Sequence, residues 1–399
     1  MLKWMPSGTA YARPTSARKT GWLALGLAGL LAMAAPAAEP PLARLAIWCE
    51  FMPYAEVARE LPTLAEYDCD LILHVERESF ADPDFAPLVR AAAQAGVRVD
   101  AWLLLPYDEH LYVGQASLAA TRDLARQAVE YFTQEKLAVR AFVFDCEPSP
   151  LLGRELFAAV RAKSPRQLAG VLRAQLNPTQ FLRDVAELNE LIAGLHASGY
   201  AVDGAANRAF LDAQARGNVA LEDALNAPVS GVTWDALSFI TYRYRVSQES
   251  YVAMLNRYVT LARRLYGVRA AVDVGLIGDY TAIPQNAERA ALFGGGADFY
   301  AYLRGMRDTR DLEQAVGVVL GCGVRRVNLY ALDGAATSVA GTESWLRAAR
   351  QARPRGAWAR WTPLGSLQYG ALGALTEKMF RWTTGGTGKA YEKKEKTES

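Results

Sequence analysis

Histidine is scarce in this chain, with His74, His110 and His196 the only three in 399 residues. None stands in an HExxH or other clustered spacing, so no metal site is expected, and no organic cofactor is called for. Cysteine is scarce as well: Cys49, Cys69, Cys146 and Cys322 form no CxxC, and four scattered thiols allow three pairings that spacing does not choose between. No GxGxxG follows the first strand-like run, which argues against a dinucleotide-binding fold. An excess of one charge is missing too, since 44 Lys and Arg face 42 Asp and Glu for a formal net of +2. Lys3, Arg13, Arg18 and Lys19 all precede an apolar stretch, and without those four the rest carries about −2. That balance leaves no basic surface for nucleic acid.

The one long apolar run lies near the start, in "SARKTGWLALGLAGLLAMAAPAAEPP". Basic residues precede apolar Gly21 to Ala35, and small residues permit cleavage after Ala34, Ala37 or Ala38. Residues 1–38 therefore read as a secretory signal peptide. The run is short of the ~20 residues of a full span, and an uncleaved membrane anchor is the alternative. The expected location is periplasmic or secreted, or membrane-anchored facing outside the cytoplasm. Nothing in the sequence speaks to the oligomeric state.

With 51% hydrophobic and 22% charged residues, the remainder can bury a large core. Short apolar runs rich in β-branched and aromatic residues recur at 43–51, 69–76, 97–106, 139–147, 200–206, 236–245, 269–278 and 324–334. Amphipathic helical patterns separate them, notably at 178–197, 249–265 and about 308–320, with a closing one at 342–353. The runs lack clean polar alternation, as strands covered on both faces do. Eight such units predict an α/β fold of the (β/α)8 TIM barrel type over 43–353. An open doubly wound sheet has the same periodicity and stays open as the alternative.

Connections at 148–177 and 207–235 are long and are expected to carry short helices over the barrel mouth. "ALFGGGADF" at 291–299 reads as flexible. Residues 354–399 form a C-terminal extension with a polar tail, in which Trp358, Trp361 and Tyr369 are expected to pack under the barrel.

The chemistry is expected at the carboxyl ends of the strands. In "VRAFVFDCEPSP" (139–150), residues two apart share a face, so Val143, Asp145 and Glu147 point one way and Phe144 and Cys146 the other. Pro148 ends the run. Two close carboxylates separate their protonation states, which suits a general acid acting on a glycosidic oxygen. Other strand ends add Glu50, His74 and Glu76, then Tyr107 to Glu109, Asp203, Tyr242 and Arg243, and Tyr330 and Asp333; Asp273 lies within strand seven. Glu50, Glu76, Asp203 and Asp333 are candidates for a second carboxylate, and Trp48 and Trp102 for stacking faces. Arg243 has two readings, a structural ion pair or recognition of an acidic sugar. A carboxylate separation of ~5 to ~9 Å would set the stereochemical outcome.

"FVFDCE", "ITYRYR" and "LYALDG" resemble the strand-four, strand-six and strand-eight segments of the chitinase-like barrels of glycoside hydrolase family eighteen and related glycosidase-like barrels. The family's strand-four signature DxxDxDxE falls on Arg140, Val143, Asp145 and Glu147, so only its last two acids are present. Its strand-six Tyr-Asp falls on Tyr242 and Arg243. The resemblance implies that Glu147 protonates the leaving group, Asp145 orients a substrate acetamido group and Tyr242 supports the intermediate. The expected function is a glycoside hydrolase acting on an envelope or extracellular polysaccharide, with Glu147 as general acid. The rival is a catalytically silent glycan-binding or envelope-assembly protein.

Overall fold

Eight strands run parallel in sequence order: β1 (Arg44–Cys49), β2 (Cys69–Val75), β3 (Val99–Leu103), β4 (Val139–Cys146), β5 (Ala201–Asn207), β6 (Ala236–Ile240), β7 (Ala270–Gly275) and β8 (Arg326–Tyr330). β8 pairs with β1, which closes the barrel. The fold is a (β/α)8 TIM barrel, and the open-sheet alternative falls with the closure. The computed structural model describes residues 42–106, 111–243, 246–278 and 305–355. The leader over 1–38, the Tyr107–His110 segment, residues 291–299 and the aromatics of the C-terminal extension lie outside the described residues.

Strand parity divides the barrel cleanly. Leu45, Ile47 and Cys49 on β1 and Phe142, Phe144 and Cys146 on β4 face outward into one large core shared with the helices. Ala46, Trp48, Ile72, Trp102, Val143 and Ala205 face inward and form a second, small apolar cluster. Such burial on both faces is why the strands show no polar alternation. All four cysteines are free thiols, and three of them are buried.

The amino-terminal end of the barrel is stoppered by charge. Arg44 Nε reaches Asp70 at 2.7 Å, and its guanidinium also bonds Asp100 and, at 3.3 Å, Asp203. Arg140 donates to both oxygens of Asp100 at 2.7 Å and to Asp203 at 2.9 Å, while Arg98 holds the free side of Asp70 at 2.8 Å. These charges are paired and hydrogen-bonded, the condition for tolerating them inside a fold.

Helices α1 (Tyr54–Glu66), α2 (Phe85–Gln94) and α3 (Leu118–Gln134) follow the first three strands. The long connection after β4 then folds into α4 (Pro150–Arg161) and α5 (Pro165–Gln175), ahead of α6 (Pro178–Ala197). Ser149, Ser164 and Asn177 each precede a proline and accept the backbone N–H of Leu152, Gln167 and Gln180 respectively. This repeated cap-then-proline pattern starts three helices in succession, because the side chain satisfies one orphan donor and proline needs none. The prolines of "EPSP" thus divide their work, Pro148 following the strand and Pro150 opening α4.

After β5, the short α7 (Ala209–Gln214) and α8 (Ala220–Ala224) form the other long connection. It is tied down by the fully buried Glu222, which accepts from the backbone of Val229 and Ser230, the Ser230 hydroxyl and Gln214. The outer ring continues with α9 (Gln248–Tyr266), α10 (Thr309–Gly321), α11 (Leu332–Thr337) and α12 (Gly341–Gln351). Among the described residues, no helix is long and apolar enough to cross a membrane.

Candidate active site

The inward parity that carries Arg44 and Ala46 in the lower barrel brings Trp48 and Glu50 to the opposite end. The same alternation lifts Asp145 and Glu147 from β4, Tyr242 beyond β6 and Tyr330 on β8 to one place. With Trp102 and Tyr112 they line a cavity of ≈ 40 Å³. Trp48 and Trp102 meet edge to face with ring centroids 4.9 Å apart, and Tyr242 stacks on Tyr330 at 4.7 Å. Both indoles are 2% exposed, so they form the floor rather than open stacking platforms. The Trp48 N–H bonds Asp273 at 3.1 Å, whereas the buried Trp102 N–H has no partner among the described residues.

Glu147 directly follows β4 and is half-buried. Loss of water raises its carboxyl from 4.5 to about 7. A hydrogen bond from Asn207 and the charge of Arg208 oppose that rise, and the carboxylates of Asp273 and Glu50 add to it. Asp273 sits one layer deeper, fully buried, accepting from Ser238 at 2.7 Å, Asn328 at 2.8 Å and Trp48. Burial carries it up to about 6 in spite of those three donors.

Glu50 is held from several directions. The Tyr330 hydroxyl donates to its carboxylate, its backbone N–H donates to Asp333 at 3.0 Å, and its carbonyl meets the His74 ring at 3.1 Å. Asp145 is buried beside Glu147, and its carbonyl accepts the Val113 N–H at 3.0 Å, docking the segment after β3 against β4.

Four of the expected site residues lie elsewhere. Asp203 was expected at the end of β5, but that strand runs on to Asn207, leaving Asp203 in the charge cluster at the opposite end of the barrel. Glu76 precedes a 3-10 turn (Arg77–Ala81), where its N–H bonds the Ser79 hydroxyl at 3.0 Å; it stays outside the cavity lining. Arg243 turns outward to Asp311 and Gln248, which removes it as an acidic-sugar ligand and leaves its structural reading. Asp333, on α11, accepts the N–H groups of Glu50 and Phe51 at 3.0 and 2.7 Å and braces the loop after β1 without lining the cavity. Burial raises its carboxyl against those two bonds.

The structure also brings in residues that the strand-end pattern does not single out: Asn207 and Arg208 act on Glu147 and Tyr112 walls the cavity, while Asp273, placed within strand seven by its sequence, lies beneath the floor. Parity along Asp203, Ala205 and Asn207 contained the first of these, one residue beyond the apolar run at 200–206. At the strand-four positions discussed above, Arg140 belongs to the charge cluster and Val143 is buried in the inner apolar cluster. Among the described residues, no group of three or more His, Cys, Asp and Glu side chains is disposed to hold a metal ion.

These features define a closed parallel barrel with acids and aromatics gathered at its carboxyl mouth, the end where barrel enzymes carry their chemistry. No protein-family profile matches the sequence, and no curated protein is detectably similar to it. Among solved structures, the chain is similar to the glycoside hydrolase domain of PgaB (BpsB) from Bordetella bronchiseptica, at 12% identity over 79% of this chain and 100% of that one, with a TM-score of 0.43. An L-ribulose 3-epimerase matches at 14% identity over 84% of this chain and 98% of its own, TM-score 0.41. The endo-beta-mannanase/endo-beta-glucanase PbGH26A-GH5A of Prevotella bryantii matches at 10% over 78% of this chain and 48% of its own, TM-score 0.41. The barrel stands on its own strand pairing, and activity has to be read from the site.

Proposed function

We propose that this protein is an exported glycoside hydrolase that cleaves an envelope or extracellular polysaccharide, with Glu147 as general acid. The observation that carries this reading is the convergence of Glu147, Asp145 and Glu50 with aromatic side chains on one cavity at the barrel mouth. A carboxyl poised near 7 holds a proton at neutral pH and can give it up, which is what protonating a departing sugar oxygen requires. In the proposed step the glycosidic C–O bond breaks as the Glu147 proton passes to the leaving oxygen. Positive charge at the anomeric carbon is met by a carboxylate, Asp145 or Glu50, or by a substrate acetamido group as in the family-eighteen chemistry the sequence resembles. Water then adds to that carbon, and its proton restores Glu147 or goes to the second carboxylate. The reaction needs no cofactor. In this reading Tyr242 and Tyr330 hold the sugar and Glu50 at the rim, and the leader supports export, with a retained membrane tether as the variant.

The small floor cavity favours a second reading, a glycan-binding or envelope-assembly protein without turnover, because ≈ 40 Å³ admits a substituent and not a whole sugar ring. Reducing-end release from a panel of envelope and extracellular polysaccharides separates the two. Wild-type turnover that falls by at least ~10²-fold in Glu147→Gln supports the hydrolase. Equal turnover in both proteins removes Glu147 as the acid, and binding without turnover moves the second reading ahead.

A further inference from the structure

A second cavity, of ≈ 290 Å³, opens beside the first and shares two lining residues with it, Glu147 and Tyr112. Its other walls come from the segment after β3 and from α4, α5 and the turn after α8. These pieces are packed tightly: a Cβ on Gly114 would lie 2.2 Å from the carbonyl oxygen of Asn226, so only glycine lets the two segments close to this distance. Asn226 in turn donates its side-chain amide to Gln175 at 3.2 Å, tying the turn to the end of α5. The cleft is built by the long connections that interrupt the regular barrel, and it ends at the candidate acid.

We infer that this cleft is a sugar subsite, which holds the unit of an uncharged glycan next to the bond that Glu147 protonates. The inference rests on the reading of Glu147 as general acid. A general acid must touch the oxygen between two units, so one unit has to lie on each side of it. Glu147 is the acid that faces both cavities, and Tyr112, which also lines both, offers an apolar face for sugar C–H groups. The floor is too small for a ring and takes one protruding polar group, toward which the buried Trp102 N–H, without a partner among the described residues, offers a donor. The outer cleft sits at the low end of the ~300–1,000 Å³ of small-molecule sites, which suits a single sugar.

The lining chemistry sets the class. Gln115, Gln175, Asn226 and Ser149 present amides and a hydroxyl that pair with sugar hydroxyls. The charged side chains lining the two cavities, among the described residues, are the acids Glu50, Asp145, Glu147 and Glu155. A uronate unit would bring a further negative charge against them with no Arg or Lys in the described lining to receive it, so acidic polysaccharides are excluded.

Calorimetric titration of Glu147→Gln protein tests this, using cello-, manno- and chito-oligosaccharides of two to six units, with oligogalacturonate as the acidic probe. One uncharged series is expected to bind, and Gln115→Ala/Gln175→Ala in the same background is expected to weaken it ~10-fold, the value of one or two lost hydrogen bonds. Thermal melts check the fold, and the single Gln115→Ala variant, expected at ~3-fold, is the readout if the double variant melts early. Unchanged affinity in the variants, comparable binding of oligogalacturonate, or binding by none of the uncharged series would overturn the subsite. Binding that depends on Gln115 and Gln175 without turnover by the unsubstituted protein keeps the subsite and sinks the hydrolase. Turnover whose KM ignores these residues does the reverse.

Discussion

The hydroxyl of Tyr330, the last residue of β8, donates to the carboxylate of Glu50, just past the end of β1. The seam where the barrel closes is therefore fastened by a side-chain bond to an acid that lines the cavity. Tyr330→Phe keeps the ring and its stacking on Tyr242 but deletes that bond. Stability in urea is expected to fall by about 1.5–3 kcal/mol, as for a hydrogen bond to a charged group. On any substrate identified, turnover is expected to fall more than KM rises, because Glu50 loses its orientation. Unchanged kinetics would reduce Tyr330 to a packing residue.

Glu147 binds its proton more tightly in the folded chain than in the unfolded one, at about 7 against 4.5. Its burial is tolerated while both states are protonated, below about pH 4.5, and becomes a penalty as pH climbs through 7. Asp273, raised to about 6, acts in the same direction. Stability should therefore decline between pH 4.5 and 7, opposite to the trend of salt-bridged carboxylates. Glu147→Gln should remove a part of that decline on the order of 2 kcal/mol, allowing for its partial exposure. Denaturant melts at pH 4.5, 6 and 8 check this, and a variant whose pH slope equals the wild type's speaks against a raised Glu147.

The same shift predicts activity. kcat/KM should hold while Glu147 is protonated and fall about tenfold per pH unit above 7. An activity that keeps rising from pH 7 to 9 would assign the proton to another group.

Trp102 offers a buried N–H that no atom of the described residues accepts. Trp102→Phe removes the donor and some volume, two effects of opposite sign on folding, and the net stability change is expected within about 1 kcal/mol. Affinity for a ligand that fills the floor cavity should drop by roughly 5- to 10-fold, the value of one hydrogen bond. A large loss of stability with unchanged affinity would make Trp102 a structural residue alone.

Asp203 and Glu76 were both read as acids of the mouth, and their variants should separate sharply. Asp203→Ala strips one carboxylate from between Arg44 and Arg140 and should cost about 3–5 kcal/mol. Glu76→Ala removes a half-exposed carboxylate and should cost about 1 kcal/mol or less. Urea titrations of both proteins measure the contrast directly.

The barrel was legible because its strands are apolar on both faces and its helices are periodic, so the spacing of residues 43 to 353 already counted eight units. The pair Asp145 and Glu147 was legible for the same reason, since a period of two fixes which side chains travel together. Where a strand ends was harder to read. Reading Asp203 as a strand-end residue put it at the mouth, whereas β5 runs on past it to Asn207, which does reach Glu147. Long-range pairing was invisible altogether. Nothing near Arg243 announces Asp311, and nothing near Asp333 announces the backbone of Glu50, because both partners come from distant turns of the chain.

The charge cluster at the barrel base also bears on how the molecule is made. Its acids and arginines come from positions 44 to 203, all within the first five strands, whereas closure waits for Arg44–Cys49 to meet Arg326–Tyr330. A chain delivered amino-terminus first holds every member of that cluster once residue 203 is out, more than a hundred residues ahead of the strand that seals the ring. The charge pairs can thus form before the hydrogen-bonded closure, and the open edges of β1 and β5 must then be kept from other chains in the interval.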